Sequence, residues 1–186
     1  MKIALITPLT GAYSGAHEYA VQLRNSLEKV GHEVTIFSIA GLGKCPIEGT
    51  EKLFMSRRKD NVEALAGYDV IHFTSVCENG KKDPKFLPFS NTVKYFVTIH
   101  SCDLDLKLAN GWQGIVKNAF GIIFTSEGNR QYHIKTYPGL FTENNTYAVD
   151  MPYVPENRIA QWEKEQMAIC TSRFVSYKKI REFLLM

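Results

Sequence analysis

Three places in the chain carry residue types that could hold an anionic ligand or line a ligand site. Arg173 and Lys178 stand five residues apart around a loop that joins a strand-like run to an amphipathic run. An arginine offers phosphate oxygens a planar fork and a lysine a point charge; the competing reading is a solvated surface pair. Gly15 directly precedes a helix-like run, where a missing Cβ lets an oxygen anion approach the helix's free N–H groups. A plain turn glycine would occupy the same position. His100 ends a strand-like run, on the side of a parallel sheet where ligands bind, with a capped structural histidine as the alternative. Cys102 lies close by, but no third group is present to orient a Cys–His pair, so a cysteine nucleophile is rejected. Cys45, Cys77, Cys102 and Cys170 form no CxxC pair and read as structural thiols, and no metal site is expected.

Those residues need a frame, and the chain alternates strand and helix patterns. Residues 2–6 are a short apolar run ending in a Thr-Pro-Leu-Thr-Gly loop, the pattern of a buried parallel strand. Ala16, Tyr19, Ala20, Leu23, Leu27 and Val30 follow at helical spacing, with Gly31 placed as a C′ residue. Residues 33–39 return to strand, completing a βαβ unit with a right-handed crossover. Further along, 60–66 reads as helix, 69–74 as strand, 78–90 as polar loop and 94–100 as strand. Residues 104–120 read as helix, 121–126 as strand, 127–137 as a short helix stopped by Pro138, and 146–149 as a last strand. His72 lies inside an apolar strand and reads as structural. The fold class expected is α/β, a Rossmann-like open parallel sheet with helices on both faces. Residues 1–150 form that domain and 151–165 an interdomain linker. Residues 166–186 look like the first strand and helix of a second domain, because a lone βα unit cannot bury its own apolar face. The alternative is a terminal element packed on the single domain.

Composition bounds the function classes. The 186 residues are 45% hydrophobic, 12% aromatic and 22% charged, ordinary globular values that exclude disordered and low-complexity classes. The 22 Lys+Arg against 19 Asp+Glu leave +3, too little to argue for nucleic acid or an anionic membrane. The start lacks a signal-peptide core and no run approaches the roughly 18 apolar residues of a membrane span, so a cytoplasmic location is expected. The turn over residues 8–16 lacks both GxGxxG and GxxxxGK[ST], which argues against a dinucleotide fingerprint or a P-loop.

Several short strings then coincide in order. Ser14-Gly15-Ala16-His17-Glu18 with Leu23, followed by Gly31-His32-Glu33-Val34, resembles the opening of the family 4 glycosyltransferases, whose GT-B fold begins strand, GG-x-E-x-x-x-x-x-L, then GHEV. The likeness continues through Tyr68-Asp69-Val70-Ile71-His72, Val97-Thr98-Ile99-His100-Ser101 and Gly121-Ile122-Ile123-Phe124-Thr125-Ser126. It extends to Ala148-Val149-Asp150 with Pro155, and to Thr171-Ser172-Arg173-Phe174-Val175-Ser176-Tyr177-Lys178 where the family's second domain starts. The chain departs from the pattern at Ser14, His17, Thr74, Tyr147, Ala148 and Lys179.

The resemblance implies transfer of a sugar from a nucleotide-diphosphate donor to an acceptor hydroxyl, retaining and metal-independent, with no cofactor beyond the donor. It implies that Gly15's backbone faces the diphosphate, that Arg173 and Lys178 supply cations to it, and that His100 lies near the donor sugar. His17 and Glu18, at the opening of the helix, and Ser126, at the same sheet edge, become acceptor contacts; helix capping alone would account for Ser126. The acceptor would be a glycan, a lipid or another hydroxyl compound. A DNA acceptor is the less favoured case, since Lys81, Lys82 and Lys85 read first as a solvated loop. The glutamate-rich motif of the family's donor domain is missing, so the chain alone is expected to turn over little substrate, with a second chain as one source of the donor half. Two other readings stay open: a non-catalytic Rossmann-like binding module, and an unrelated flavodoxin-like or nucleotide-binding protein.

Overall fold

A computed structural model describes residues 1–7, 13–40, 44–54, 58–76, 94–100 and 113–149. The chain divides into two units, Met1–Val154 and Pro155–Met186, and every described residue belongs to the first. The expected linker, the second-domain elements, and the loop at 78–90 all lie outside the described residues.

The strands are β1 (Lys2–Thr7), β2 (Glu33–Ala40), β3 (Glu51–Phe54), β4 (Val70–Phe73), β5 (Tyr95–Ile99), β6 (Gly121–Phe124) and β7 (Thr146–Ala148). The described helices are α1 (Gly15–Lys29), α2 (Arg58–Leu65), α3 (Gln113–Lys117) and α4 (Glu127–Thr136). The strands form one sheet in the order β3-β2-β1-β4-β5-β6-β7, with every neighbouring pair parallel. Chain direction across the sheet reverses between β1 and β4. In open α/β sheets that switch point leaves a crevice at the carboxyl ends of the strands.

Alternation along each strand sorts the core into two layers. Ala4, Ile6, Phe37, Ile39, Ile71, Phe73, Val97, Ile99, Ile122 and Phe124 pack with Leu65 of α2, Ile115 and Val116 of α3, and Ile134 of α4. Ile3, Leu5 and Ile36 pack with Ala20, Leu23 and Leu27 of α1 on the opposite face. The sheet is therefore Rossmann-like, with helices on both faces. Among the described residues no helix is long and apolar enough to cross a membrane.

Helix α1 starts and stops for local reasons. Ser14 is its N-cap, in extended backbone. At the other end Gly31 has φ +87, and its N–H bonds to the Glu28 carbonyl while the His32 N–H bonds to the Leu27 carbonyl. This is a Schellman closure, and it bears out the C′ assignment of Gly31.

The sequence reading needs three corrections. Val30, expected on the buried stripe, is the C-cap residue and is 68% exposed. The edge strand β3 was not anticipated. The helix expected over 104–120 is described only as α3, and residues 118–120 have already left it: Phe120 N–H bonds to the Tyr95 carbonyl at the entrance to β6. Its first part, 104–112, lies outside the described residues.

Candidate functional site

The carboxyl-end edge of β1, β4, β5 and β6 collects most of the residues singled out from sequence. Gly15 opens α1, and among the described residues a Cβ placed on it would meet nothing within 4 Å. Helical geometry leaves the first amides of such a helix without intrahelical acceptors, and the macrodipole makes that end partly positive. The His17 and Glu18 amides bond back to the Ser14 carbonyl, which leaves Gly15 and Ala16 as the amides at the tip.

His17 is drawn inward rather than toward the edge. It is 1% exposed, and its Nδ1 accepts the Ser14 backbone N–H at 3.1 Å while lying 2.9 Å from Ser14 Oγ. A backbone N–H can only donate, so Nδ1 is the acceptor and the neutral ring carries its proton on Nε2. The histidine thus does the work of the Glu or Gln in a capping box. Glu18 is exposed beside it, accepting from Gln22 Nε2 and Tyr13 Oη, each at 2.7 Å. Those two donors, Gln22 first, hold its carboxyl below the usual range.

His100 follows the last residue of β5. Its Nε2 lies 2.7 Å from the Thr74 carbonyl oxygen, just past the end of β4. A carbonyl only accepts, so Nε2 is protonated, and in the neutral ring Nδ1 is an acceptor, the kind of group to which a sugar hydroxyl donates. Tyr19 of α1 meets the His100 ring edge-on, with centroids 4.8 Å apart. Below it, Tyr19 Oη is 3.1 Å from Thr98 Oγ1, which is 2.7 Å from His72 Nε2. His72 is buried as a structural residue; burial, with His100 close by, pushes its imidazole down to about 4. Burial likewise raises the Tyr19 phenol.

Ser126 caps α4, accepting the Asn129 N–H on its Oγ at 3.2 Å. Asn129 Nδ2 donates to the Ile99 carbonyl, which ties the first turn of α4 to the end of β5 next to His100. Thr7, at the end of β1, is fully buried, and among the described residues its Oγ1 has no hydrogen-bond partner. Arg173 and Lys178 lie outside the described residues. No group of three or more potential metal ligands occurs among the described residues. The structure thus brings together Gly15, His100 and Ser126 at one sheet edge, with Glu18 exposed on the first turn of α1. Sequence reasoning missed Tyr19, Thr98 and the Thr74 carbonyl, whose roles depend on contacts across 79 and 26 residues of chain.

No protein-family profile and no curated protein matches the sequence. Among solved structures, the chain is similar to an alpha-glucosyltransferase in complex with UDP and a 13-mer DNA containing a HMU base. The TM-score is 0.63 at 16% identity, covering 82% of this chain and 43% of that one. The likeness is one of fold: a parallel Rossmann-like sheet shared with part of a GT-B structure. An alpha-glucosyltransferase in complex with UDP gives a TM-score of 0.62 at 16% identity, covering 82% of this chain and 44% of the other. One in complex with UDP-glucose and DNA containing an abasic site gives 0.59 at 14%, covering 80% and 42%. The chain therefore spans less than half the length of these structures.

Proposed function

We propose that the chain is the acceptor-side part of a GT-B glycosyltransferase that moves a sugar from a nucleotide-diphosphate donor to an acceptor hydroxyl, with retention and without a metal ion. One coincidence carries the reading: a fold shared with UDP-binding glucosyltransferases has Gly15 and His100 at its carboxyl-end edge, beside the strand-order switch. As the glycosidic bond breaks, the diphosphate gains negative charge, and preorganised dipoles are the means of stabilising it without reorganisation. The Gly15 and Ala16 amides supply that dipole, and the open space where a Gly15 Cβ would stand admits the oxygens. Arg173 and Lys178, outside the described residues, are the cations that the family resemblance assigns to the diphosphate. His100, held through Nε2 by the Thr74 carbonyl, lies near the donor sugar. Glu18 and Ser126 meet the acceptor, while His17 acts by holding the first turn of α1.

A DNA acceptor gains support from the alpha-glucosyltransferase structures that contain DNA, one with a HMU base. Thermal unfolding with UDP, FMN and NAD tests the donor class. At about one hundred times its Kd, a ligand adds about 2.7 kcal/mol, or about 5–10 °C in a domain of this size. A shift with UDP and none with FMN or NAD is expected; the reverse defeats the proposal. A UDP-sugar panel against hydroxyl acceptors, including a 13-mer DNA carrying HMU, should then show little turnover by the chain alone. Robust turnover would disprove the need for further donor-side residues.

A further inference from the structure

We propose that Tyr19 is a positioning residue, which locks α1 to the carboxyl ends of β4 and β5 and thereby sets the Gly15 end of the helix against His100. The inference rests on the transferase reading for the significance of Gly15 and His100, but the lock stands on its own geometry. Gly15 and Tyr19 are separated by one helical turn and share a face of α1. Tyr19, only 4% exposed, carries both contacts: its ring edge meets His100, and its hydroxyl reaches Thr98. Thr98 in turn reaches His72, so one helical side chain engages both strands that flank the edge.

The direction of the hydrogen bonds follows from satisfying each group. Among the described residues, Thr98 Oγ1 is the partner of the Tyr19 hydroxyl. A buried O–H without an acceptor is costly, so Tyr19 donates to Thr98. The single Thr98 proton is then directed at His72 Nε2, which must be an acceptor, so the neutral His72 ring carries its proton on Nδ1. The order Tyr19 to Thr98 to His72 gives each of the two hydroxyl protons an acceptor. His100 has the opposite tautomer, because the Thr74 carbonyl demands a proton on Nε2. Simple packing would need only an aromatic ring at position 19; the tie to Thr98 needs the hydroxyl.

The test compares the 186-residue chain with Tyr19→Phe and Tyr19→Leu, reading histidine tautomers from imidazole 15N NMR and UDP affinity by calorimetry. In the wild-type chain His72 should be protonated on Nδ1 and His100 on Nε2; Tyr19→Phe keeps the ring on His100 and leaves Thr98 donating to His72 Nε2, so both tautomers should persist. UDP affinity should fall about five- to tenfold, the value of one net hydrogen bond. Tyr19→Leu should lower it further and broaden the His100 signals, with Tyr19→Phe standing as the partial rescue. A wild-type His72 protonated on Nε2 overturns the proposal, as does wild-type UDP affinity in both variants. If the wild-type chain binds no UDP, the transferase reading fails, and the His72 tautomer alone decides whether Tyr19 is the lock.

Discussion

Acid should destabilise this fold through His72, by an amount that can be worked from its surroundings. Burial, with the nearby His100 charge second, pushes the ring from an ordinary value of 6.5 down to about 4. In the unfolded chain the ring takes up a proton as pH falls through about 6.5; in the folded chain it resists until about 4. The unfolded state therefore binds more protons throughout that window, and stability falls with falling pH. The contribution is intact above about 6.5 and is lost as pH drops through about 4. At about 1.4 kcal/mol per pH unit, the gap is worth about 3 kcal/mol. Urea denaturation at several pH values between 7 and 4, on the wild type and on His72→Gln, isolates it. Glutamine cannot titrate, and its amide can still meet Thr98. The other histidines are common to both chains and drop out of the difference, except that His100 couples to His72. As pH falls from 7 to 4, the stability of the wild type should drop relative to His72→Gln by about 3 kcal/mol. A difference that stays constant across the range would refute the reasoning, as would an NMR titration that protonates His72 near 6.5 in the folded chain.

Two further substitutions probe packing and capping by their effect on stability alone. A Cβ at Gly121 would lie 2.9 Å from two ring atoms of Phe96 and from one of Tyr147. Gly121→Ala should therefore cost about 1–3 kcal/mol by overpacking, and Tyr147→Ala in the same chain should return part of it; equal denaturation midpoints for Gly121→Ala and wild type would contradict this. Ser126→Ala removes the cap on Asn129 N–H, with an expected loss of about 1 kcal/mol and faster amide exchange confined to the first turn of α4. Unchanged exchange there would mean that the Asn129 tie to Ile99, rather than the cap, holds that turn.

The sequence was most legible where structure follows from neighbours in the chain. β1 and α1 announce themselves through an unbroken apolar run and a stripe at helical spacing, and Gly31 marks the end of α1 because its φ of +87 suits a residue without a Cβ. β3 escaped because Glu-Lys-Leu-Phe gives an edge strand only one buried aliphatic, Leu53, and no clear alternation. Val30 was misassigned because it fits the stripe, but it falls on the cap, where the chain has already turned away from the sheet. His17 was legible as a departure from an acidic residue, yet its function in the cap needs the ring to fold back on Ser14 N–H. Gly15, His100 and Ser126 could be placed at the edge from strand ends alone. Tyr19 could not: read along α1 it is one more apolar position, and only the fold brings Thr98 to its hydroxyl.

The contrast between the two faces of β4 and β5 shows why that contact matters. On one face Ile71, Phe73, Val97 and Ile99 pack as hydrocarbon against Ile115 and Val116. On the other, Thr98 hydrogen-bonds both Tyr19 and His72 in nearly full burial. Burying such groups gains less than burying aliphatics of the same size, and a network with one member missing leaves an uncompensated donor or acceptor. Apolar packing tolerates small slides of a helix along a sheet, because its contacts have no preferred direction. Hydrogen bonds of 2.7 and 3.1 Å in series do not. The polar chain therefore fixes the position of α1 along the sheet at the point where its amino end overhangs the strand ends. A helix whose only task was to cover Ile3, Leu5 and Ile36 would have no use for that precision, whereas one that presents its first amides to a ligand beside His100 would.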